Sequence, residues 1–376
     1  MADRISTLSD PVLCYILSFL PIKVAVITSV LSKRWNPLWL SIPTLHLDYA
    51  AELGKEKFTQ SVYSVILSRD LHQSIRTFRL SSCNACHPND IKIWINAATQ
   101  RGVEHLDIDL RNTRMGNPGH AWRNQYFNCV LKPAKTLVVL KLKGLTLKPF
   151  SHVDFPLLKV LHLNCVKLRS RCFAELLYRC PVLEDLEAIR ISFFGNSLPD
   201  GAFKRLSKLV RANIYAHHVP LEAVSNVEFL CINFSCIKVD NVCVPVFHNV
   251  THIELAYTND WLEVVIEVLK QCPKLQVLVI DENKVFQRRK DERGDWPYPQ
   301  SVPESISLHL KACHLKNYKG WEGEFQFARY IMQNARHLRS MTFCFHTTTN
   351  EQAKNKMIDK LFLCTRLSGT CKLSFK

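Results

Sequence analysis

Two hydrophobic periods divide this chain. Near its start, Val12, Leu13, Ile16, Leu17 and Leu20 recur at helical spacing and form one apolar stripe. Asp10 stands where it could cap such a helix, with Pro11 at the first helical position and Pro21 closing it. A second helix is predicted from about Lys23 to Leu31, with Val26, Ile27 and Val30 on one side. Ser32-Lys33-Arg34-Trp35 then leads into Leu38-Trp39. From residue 70 onward the pattern changes to short strand candidates. These centre near Phe78, Leu106, Leu140, Leu161, Leu186, Ile214, Leu230, Ile253, Leu278, Leu308, Met341 and Leu373. Helices fill the gaps between them, for instance over residues 170–178 and 260–270.

The strand candidates fall about 27 residues apart, within the 20–29 range of leucine-rich repeats. Self-similarity supports the period. Cys180-Pro181-Val-Leu183-Glu-Asp-Leu186 is echoed by Cys272-Pro273-Lys-Leu275-Gln-Val-Leu278, and more weakly by Ala335-Arg-His-Leu338-Arg-Ser-Met341. Leu158-Lys-Val-Leu161-His-Leu163-Asn164-Cys165 carries the L-x-x-L-x-L-x-x pattern that lines such an array. The expected class is α/β: a leucine-rich-repeat solenoid with parallel strands on its concave face and helices on its convex face. An ordinary α/β domain is the alternative, and the even spacing with the Cys-Pro echo argues against it.

Two or three helices in about 45 residues cannot bury all their apolar surface among themselves. The surplus stripe needs either the rest of the chain or a partner, and these residues alone leave both open. The block Asp3-Arg4-Ile5-Ser6, Leu8, Ile16-Leu17-Ser18-Phe19-Leu20-Pro21, Ser29-Val30-Leu31-Ser32-Lys33-Arg34-Trp35, Leu38-Trp39 and Pro43 resembles an F-box over residues 3–48. Ser9 stands where that family usually has Pro, and Pro11 where an acidic residue is common. The resemblance implies docking onto a Skp-family adaptor, and through it onto a cullin and a ring-finger subunit. It places Ile5, Leu8, Pro11, Leu13, Ile16, Leu17, Leu20, Val26 and Val30 on the adaptor side, and Trp35 and Trp39 as residues holding the module together.

A second resemblance lies near the carboxyl end. Trp296-Pro297-Tyr-Pro299, Val302-Pro303-Glu304, Tyr318-Lys319-Gly320, Glu324, Phe327, Tyr330-Ile331, Asn334-Ala335 and Leu338 look like the FBD region of many plant F-box proteins. Ser305 sits where that family usually carries Cys. The expected layout is an F-box domain over 1–48, leucine-rich repeats over 70–290, and an FBD-like region with terminal repeats over 296–376. Residues 287–301, charged and then Pro-rich, read as a loop.

Together these resemblances imply the substrate-recognition subunit of a Skp–cullin–F-box ubiquitin ligase, a receptor without chemistry of its own. The competing reading is a ligase-independent leucine-rich-repeat scaffold. The unknown target would meet exposed residues flanking the strands, with Arg79, His105, Lys141, His162 and His252 as candidates.

Bulk properties change this picture little. Apolar content of 47% with 22% charged residues describes a folded chain. The net charge of +16 raises a nucleic-acid partner. Yet the basic residues are spread along the chain, and Arg288-Arg289-Lys290 is followed at once by Asp291 and Glu292. Fifteen cysteines at irregular spacing, without a secretory leader, are expected as reduced thiols, many of them in the core. Cys83-Asn-Ala-Cys86-His87 lacks the second ligand pair a structural zinc needs. No nucleophile elbow, P-loop or dinucleotide fingerprint occurs, so no catalytic site, metal or cofactor is expected. Pro21 and Lys23 break the one long apolar run, which argues against a membrane span and leaves nucleus and cytoplasm as expected locations.

Overall fold

The computed structural model describes residues 4–5, 7–49, 54–70, 73–81, 86–111, 127–129, 135–148, 154–194, 203–234, 243–257, 261–282 and 299–376. They fall into two compact units, Met1–Ala202 and Phe203–Lys376. Residues 287–298 of the expected loop lie outside the described residues.

The first unit begins with helix α1 (Asp10–Leu17) and helix α2 (Ile22–Ile27). Asp10 is the first helical residue rather than the cap, and its carboxylate meets the Arg34 guanidinium at 2.7 Å. The second helix is shorter than its pattern predicts and tightens into a 3₁₀ turn over Thr28–Val30. β-Branched Val24, Val26, Ile27 and Thr28 lose side-chain freedom in a helix. The Thr28 hydroxyl also donates to the Ala25 carbonyl at 2.6 Å, competing for the backbone. Leu13, Leu17, Ala25, Trp35, Leu38 and Ile42 form the buried core of this module, with Leu8, Leu20 and Trp39 packed against it. Of the two tryptophans, Trp35 lies in this core and Trp39 packs against it.

Strand β1 (Thr44–Asp48) follows, inside the stretch assigned to the helical module. It pairs parallel with β2 (Thr77–Ser81), Leu45 beside Phe78 and Leu47 beside Leu80. Between them runs α3 (Lys55–Leu67), and after them α4 (Pro88–Gln100). His87 of the cysteine-histidine cluster serves α4, its Nδ1 accepting from the Asn89 amide at 3.3 Å; Cys83 lies outside the described residues. Then come β3 (His105–Asp109), β4 (Phe127–Cys129), β5 (Val139–Lys143), β6 (Leu145–Leu147), β7 (Val160–Asn164) and β8 (Lys167–Arg169). Helix α5 (Ser170–Tyr178), β9 (Asp185–Ile189) and β10 (Ser192–Phe194) complete the unit. The main parallel sheet runs β1-β2-β3-β5-β7-β9, and a smaller one runs β10-β8-β6-β4.

The step from one sheet to the other uses the same device three times. Gly144 follows β5 with φ +73°, Cys165 follows β7 with φ +56°, and Arg190 follows β9 with φ +50°. A left-handed residue reverses the chain so that the short strand β6, β8 or β10 can begin. At Gly144 even a Cβ is excluded, since it would lie 2.9 Å from the Arg111 backbone nitrogen and 3.0 Å from the Leu110 carbonyl carbon. Gly144→Ala is therefore expected to destabilise the chain by about 2–3 kcal/mol in urea unfolding. A loss below about 0.5 kcal/mol would show that the corner yields easily.

The second unit contains β11 (Arg211–Tyr215), β12 (Phe229–Asn233), β13 (His252–Tyr257), α6 (Trp261–Lys270), β14 (Val277–Glu282) and β15 (Ala312–Tyr318). It ends with α7 (Glu322–Asn334), β16 (Ser340–Phe345), α8 (Glu351–Phe362) and β17 (Lys372–Phe375). Strands β11 to β17 lie side by side in chain order, all parallel. One strand centre is misplaced by the sequence pattern. Leu308 sits in a π-helical turn, Ser305–His309, and is largely exposed, while the strand begins at Ala312. Leu308 and Leu310 mimic strand alternation, but the turn after Pro303 buries only Leu310. Ser305 is buried, its hydroxyl donating to the Leu269 carbonyl at 2.8 Å.

The internal echo is structural as well as sequential. Cys180, Cys272 and Ala335 each close a helix and are buried. Their carbonyls accept from the amides of Leu183, Leu275 and Leu338 at 3.3, 3.2 and 3.4 Å. Burial pushes the Cys180 and Cys272 thiols up to about 12, so both stay protonated and act as small core hydrophobes. The architecture is mixed α/β, a parallel sheet carrying leucine-rich-repeat-type units.

Candidate functional site

Two kinds of surface stand out. The first is the helical module. Helix α1 is apolar on both sides, which a helix packed on one face alone does not need. Its inward side carries Leu13 and Leu17, buried in the module core. Its outward side carries Val12, Tyr15 and Ile16, and the turn after it Phe19, all exposed. Tyr15 and Phe19, one turn apart, meet edge to face at 4.9 Å. From the next helix and its turn, Val24, Ile27, Val30 and Leu31 are exposed too, Val30 by 81%.

The residues expected on the adaptor face differ in exposure. Ile5, Pro11, Ile16 and Val30 are exposed, and Leu8, Leu20 and Val26 are half-buried. Leu13 and Leu17 are 0% and 1% exposed and build the core instead. Val12, Tyr15, Phe19, Val24, Ile27 and Leu31 are outward-facing and were missed. Among the described residues, nine large apolar side chains between Ile5 and Leu31 face out. Exposed apolar side chains this dense mark an interaction surface.

The second kind of surface is the polar face of each parallel sheet, where side chains alternate with the buried Leu and Ile. Strand register fixes which side chains meet. In the first unit, His46, Arg79, Asp107, Lys141, His162 and Glu187 occupy paired positions on six successive strands. Neighbouring strands lie about 4.8 Å apart, so these form one row of mixed charge. Arg79 Nε stands 3.8 Å from Asp107 Oδ2, and His162 Nε2 stands 3.2 Å from Asp185 Oδ1. Of the five target-binding candidates, Arg79, Lys141 and His162 share this row, and His105 heads the row beside it. Below, Arg111 grips Asp109 at 2.6 Å. Burial pushes the Asp109 carboxyl up, but hydrogen bonds from Arg111 and its charge outweigh this and hold the carboxyl below the usual range.

His252, the fifth candidate, belongs to the second unit. There the Arg211 guanidinium lies 4.1 Å over the Phe229 ring, whose centroid is 5.8 Å from the His252 ring. Lys316 on β15 reaches Glu254 on β13 at 2.6 Å, and Asn317 donates to Asp281 at 2.6 Å. Burial lowers the pKa of both His252 and His314; at His252 the Glu254 carboxylate opposes this while Lys316 and Arg211 add to it, and His252, Lys376 and Lys316 add to it at His314. The fold thus favours the neutral imidazoles. Their contribution is whole above the unfolded value of about 6.5 and is lost as pH falls through the depressed folded values. The apparent Tm is expected to drop between pH 7 and 5, and His252→Gln with His314→Gln to shrink that drop. An unchanged drop would assign it to other groups.

Among the described residues no helix is long and apolar enough to cross a membrane, and no cluster of three metal-ligating side chains occurs.

The chain is similar to known proteins along its length. A family model described as FBD matches residues 298–343. A second, described as the LRR repeats of the FBD-associated F-box protein At5g56370, matches residues 91–199. Putative F-box/FBD/LRR-repeat protein At5g62970 of Arabidopsis thaliana is 30% identical over 460 residues, covering 99% of this chain and 100% of the relative. F-box/FBD/LRR-repeat protein At4g00160 of the same plant is 29% identical, covering 100% of this chain and 94% of the relative. FBD-associated F-box protein At5g56370, also from Arabidopsis thaliana, is 28% identical, covering 99% of this chain and 100% of the relative. With its leucine-rich-repeat-type units, its FBD region and this full-length likeness, the chain belongs to the F-box/FBD/LRR-repeat protein family.

Proposed function

We propose that this protein is the substrate-recognition subunit of a Skp–cullin–F-box ubiquitin ligase. The helical module, an F-box over residues 3–48, docks a Skp-family adaptor, and the repeats hold a target protein. The observation that carries this reading is the module's division of labour. Leu13, Leu17, Trp35, Leu38 and Ile42 close a core of their own, yet Val12, Tyr15, Ile16, Phe19, Val24, Ile27 and Val30 remain outside it. A helix pair that already has a core keeps a second apolar face at a cost in solubility, and a partner's groove explains it.

In this reading the repeats present their strand rows to the target. The row from His46 to Glu187 offers alternating charges at strand spacing, a surface suited to a target of complementary mixed charge. The protein itself carries out no bond chemistry. Its contribution is proximity, because holding a target beside the charged ubiquitin carrier makes a bimolecular encounter effectively intramolecular.

Co-purification of the full chain with a Skp-family adaptor tests the reading. Stoichiometric capture is expected, and target abundance in cells should rise when the chain is removed. Failure of the intact, folded chain to capture any such adaptor would leave a ligase-independent repeat scaffold.

A further inference from the structure

A cleft of about 610 Å³ opens in the second unit, at the amino-terminal ends of β15, β16 and β17. Lys311, Arg336, Arg339, His309 and His337 line it, and no carboxylate does. The segment Ser368 to Thr370 forms another part of its wall.

The basic side chains converge because of the repeat. Ala312 pairs with Ser340, so Lys311 and Arg339, the residues just before them, stand at equivalent positions on neighbouring strands. The Lys311 carbonyl accepts the Arg339 amide at 2.8 Å, which fixes the two backbones together. Arg336 enters from the turn that closes α7. Lys311 Nζ donates to the neutral Gln276 Oε1 at 2.9 Å, which orients its charge without cancelling it. Neither Arg336 nor Arg339 meets a carboxylate among the described residues. The Ser368 hydroxyl donates to the Leu338 carbonyl at 2.6 Å and lies 3.1 Å from Thr370 Oγ1. With the Ser368 proton committed to Leu338, the Thr370 hydroxyl is the donor in their contact, which fixes this part of the wall.

Three permanent positive charges in one concavity repel each other and focus potential on its interior. This differs from Arg34, Arg111 and Lys316, whose charges are met by Asp10, Asp109 and Glu254. Guanidinium forks and an ammonium are the groups that match phosphate oxygens. The volume lies in the range of small-molecule sites, about 300–1,000 Å³. We propose that this cleft binds a small anion carrying two or more phosphate groups, held by Lys311, Arg336 and Arg339.

The test is calorimetric titration of inorganic tripolyphosphate into the full chain at fixed ionic strength. One site per chain is expected. Arg336→Ala with Arg339→Ala should weaken binding roughly tenfold or more, each lost charge-assisted bond contributing at that scale. Gly369→Glu offers an independent probe, because a Cβ at Gly369 meets nothing within 4 Å and the residue has no left-handed φ. It should place a carboxylate at the cleft without disturbing the fold, and abolish binding. Lys92→Ala with Lys208→Ala removes the same charge from exposed positions elsewhere and should leave affinity within about twofold. The proposal is overturned if tripolyphosphate gives no more heat than potassium chloride of equal ionic strength. Equal losses in the cleft and control variants would also overturn it, by reducing the effect to net charge. A doubly phosphorylated peptide binding more tightly than tripolyphosphate would reassign the cleft to a protein ligand.

Discussion

A full-length chain carrying Ile16→Asp is expected to fold normally and to capture no Skp-family adaptor, whereas Leu17→Asp is expected to lose the fold of the module itself. The two residues are adjacent and equally apolar, but they face opposite ways. Ile16 is 42% exposed and Leu17 is 1% exposed. A carboxylate at residue 16 stays in water until a partner covers it. It must then be desolvated against an apolar groove, and affinity should fall at least about 100-fold. At residue 17 the carboxylate would be buried among Leu13, Ala25, Trp35 and Leu38 in the absence of any partner. A buried charge of that kind exceeds the few kcal/mol a small module has to spare. Circular dichroism and adaptor capture, measured on both variants, separate the cases. Adaptor capture at wild-type strength by Ile16→Asp would remove the outward face of α1 from the interface.

The second large effect is expected at Arg69, a side chain only 3% exposed at the end of α3. Its Nη1 donates to the Ile42 carbonyl at 2.5 Å and its Nη2 to the Trp39 carbonyl at 2.8 Å. One guanidinium thereby ties the last turn of the helical module to the element that follows. Burial pushes its pKa down to about 10, with Arg101 adding to the shift and Cys14 opposing it, so the group stays charged at neutral pH. Arg69→Ala takes its donors from the buried Ile42 carbonyl and the partly buried Trp39 carbonyl and leaves a cavity where the side chain lay. At about 1–3 kcal/mol for each orphaned group, the expected loss is about 2–5 kcal/mol. Arg69→Met restores volume but not donors and should recover less than half of it. Hydrogen exchange should show the loss first over residues 10–42, as local opening of the module. Uniform protection across that stretch in Arg69→Ala would mean that the module is held in place by its apolar contacts alone.

The repeats were the most legible part of the chain. Eleven of the twelve strand centres read from the sequence lie in strands, because all of these strands except β17 bury two apolar residues at period two. Leu308 failed because a π-helical turn can carry the same short alternation. The three-residue strands β4, β6, β8 and β10 were invisible, being too short to show a period. The helical module was legible in kind but not in orientation. When a helix is apolar all round, spacing cannot tell the core stripe of Leu13 and Leu17 from the outward stripe of Val12, Ile16 and Phe19. The mixed-charge row from His46 to Glu187 was legible only in fragments, since its members are brought together by register across strands widely separated in sequence.

The three left-handed corners at Gly144, Cys165 and Arg190 make the repeats mechanically unequal. Only the first corner is occupied by a residue for which that backbone shape is free of cost; a side chain there forfeits about 1–2 kcal/mol. In a stack where each unit leans on its neighbours, such differences set the order of failure. Pulled or heated, the stretch around β7 to β10 should open before the stretch around β5 and β6, so the molecule carries a preferred tear line along its own length. A protease or unfolding machine that engages this protein would find its purchase there, beside the charged row, rather than at the well-fitted glycine turn.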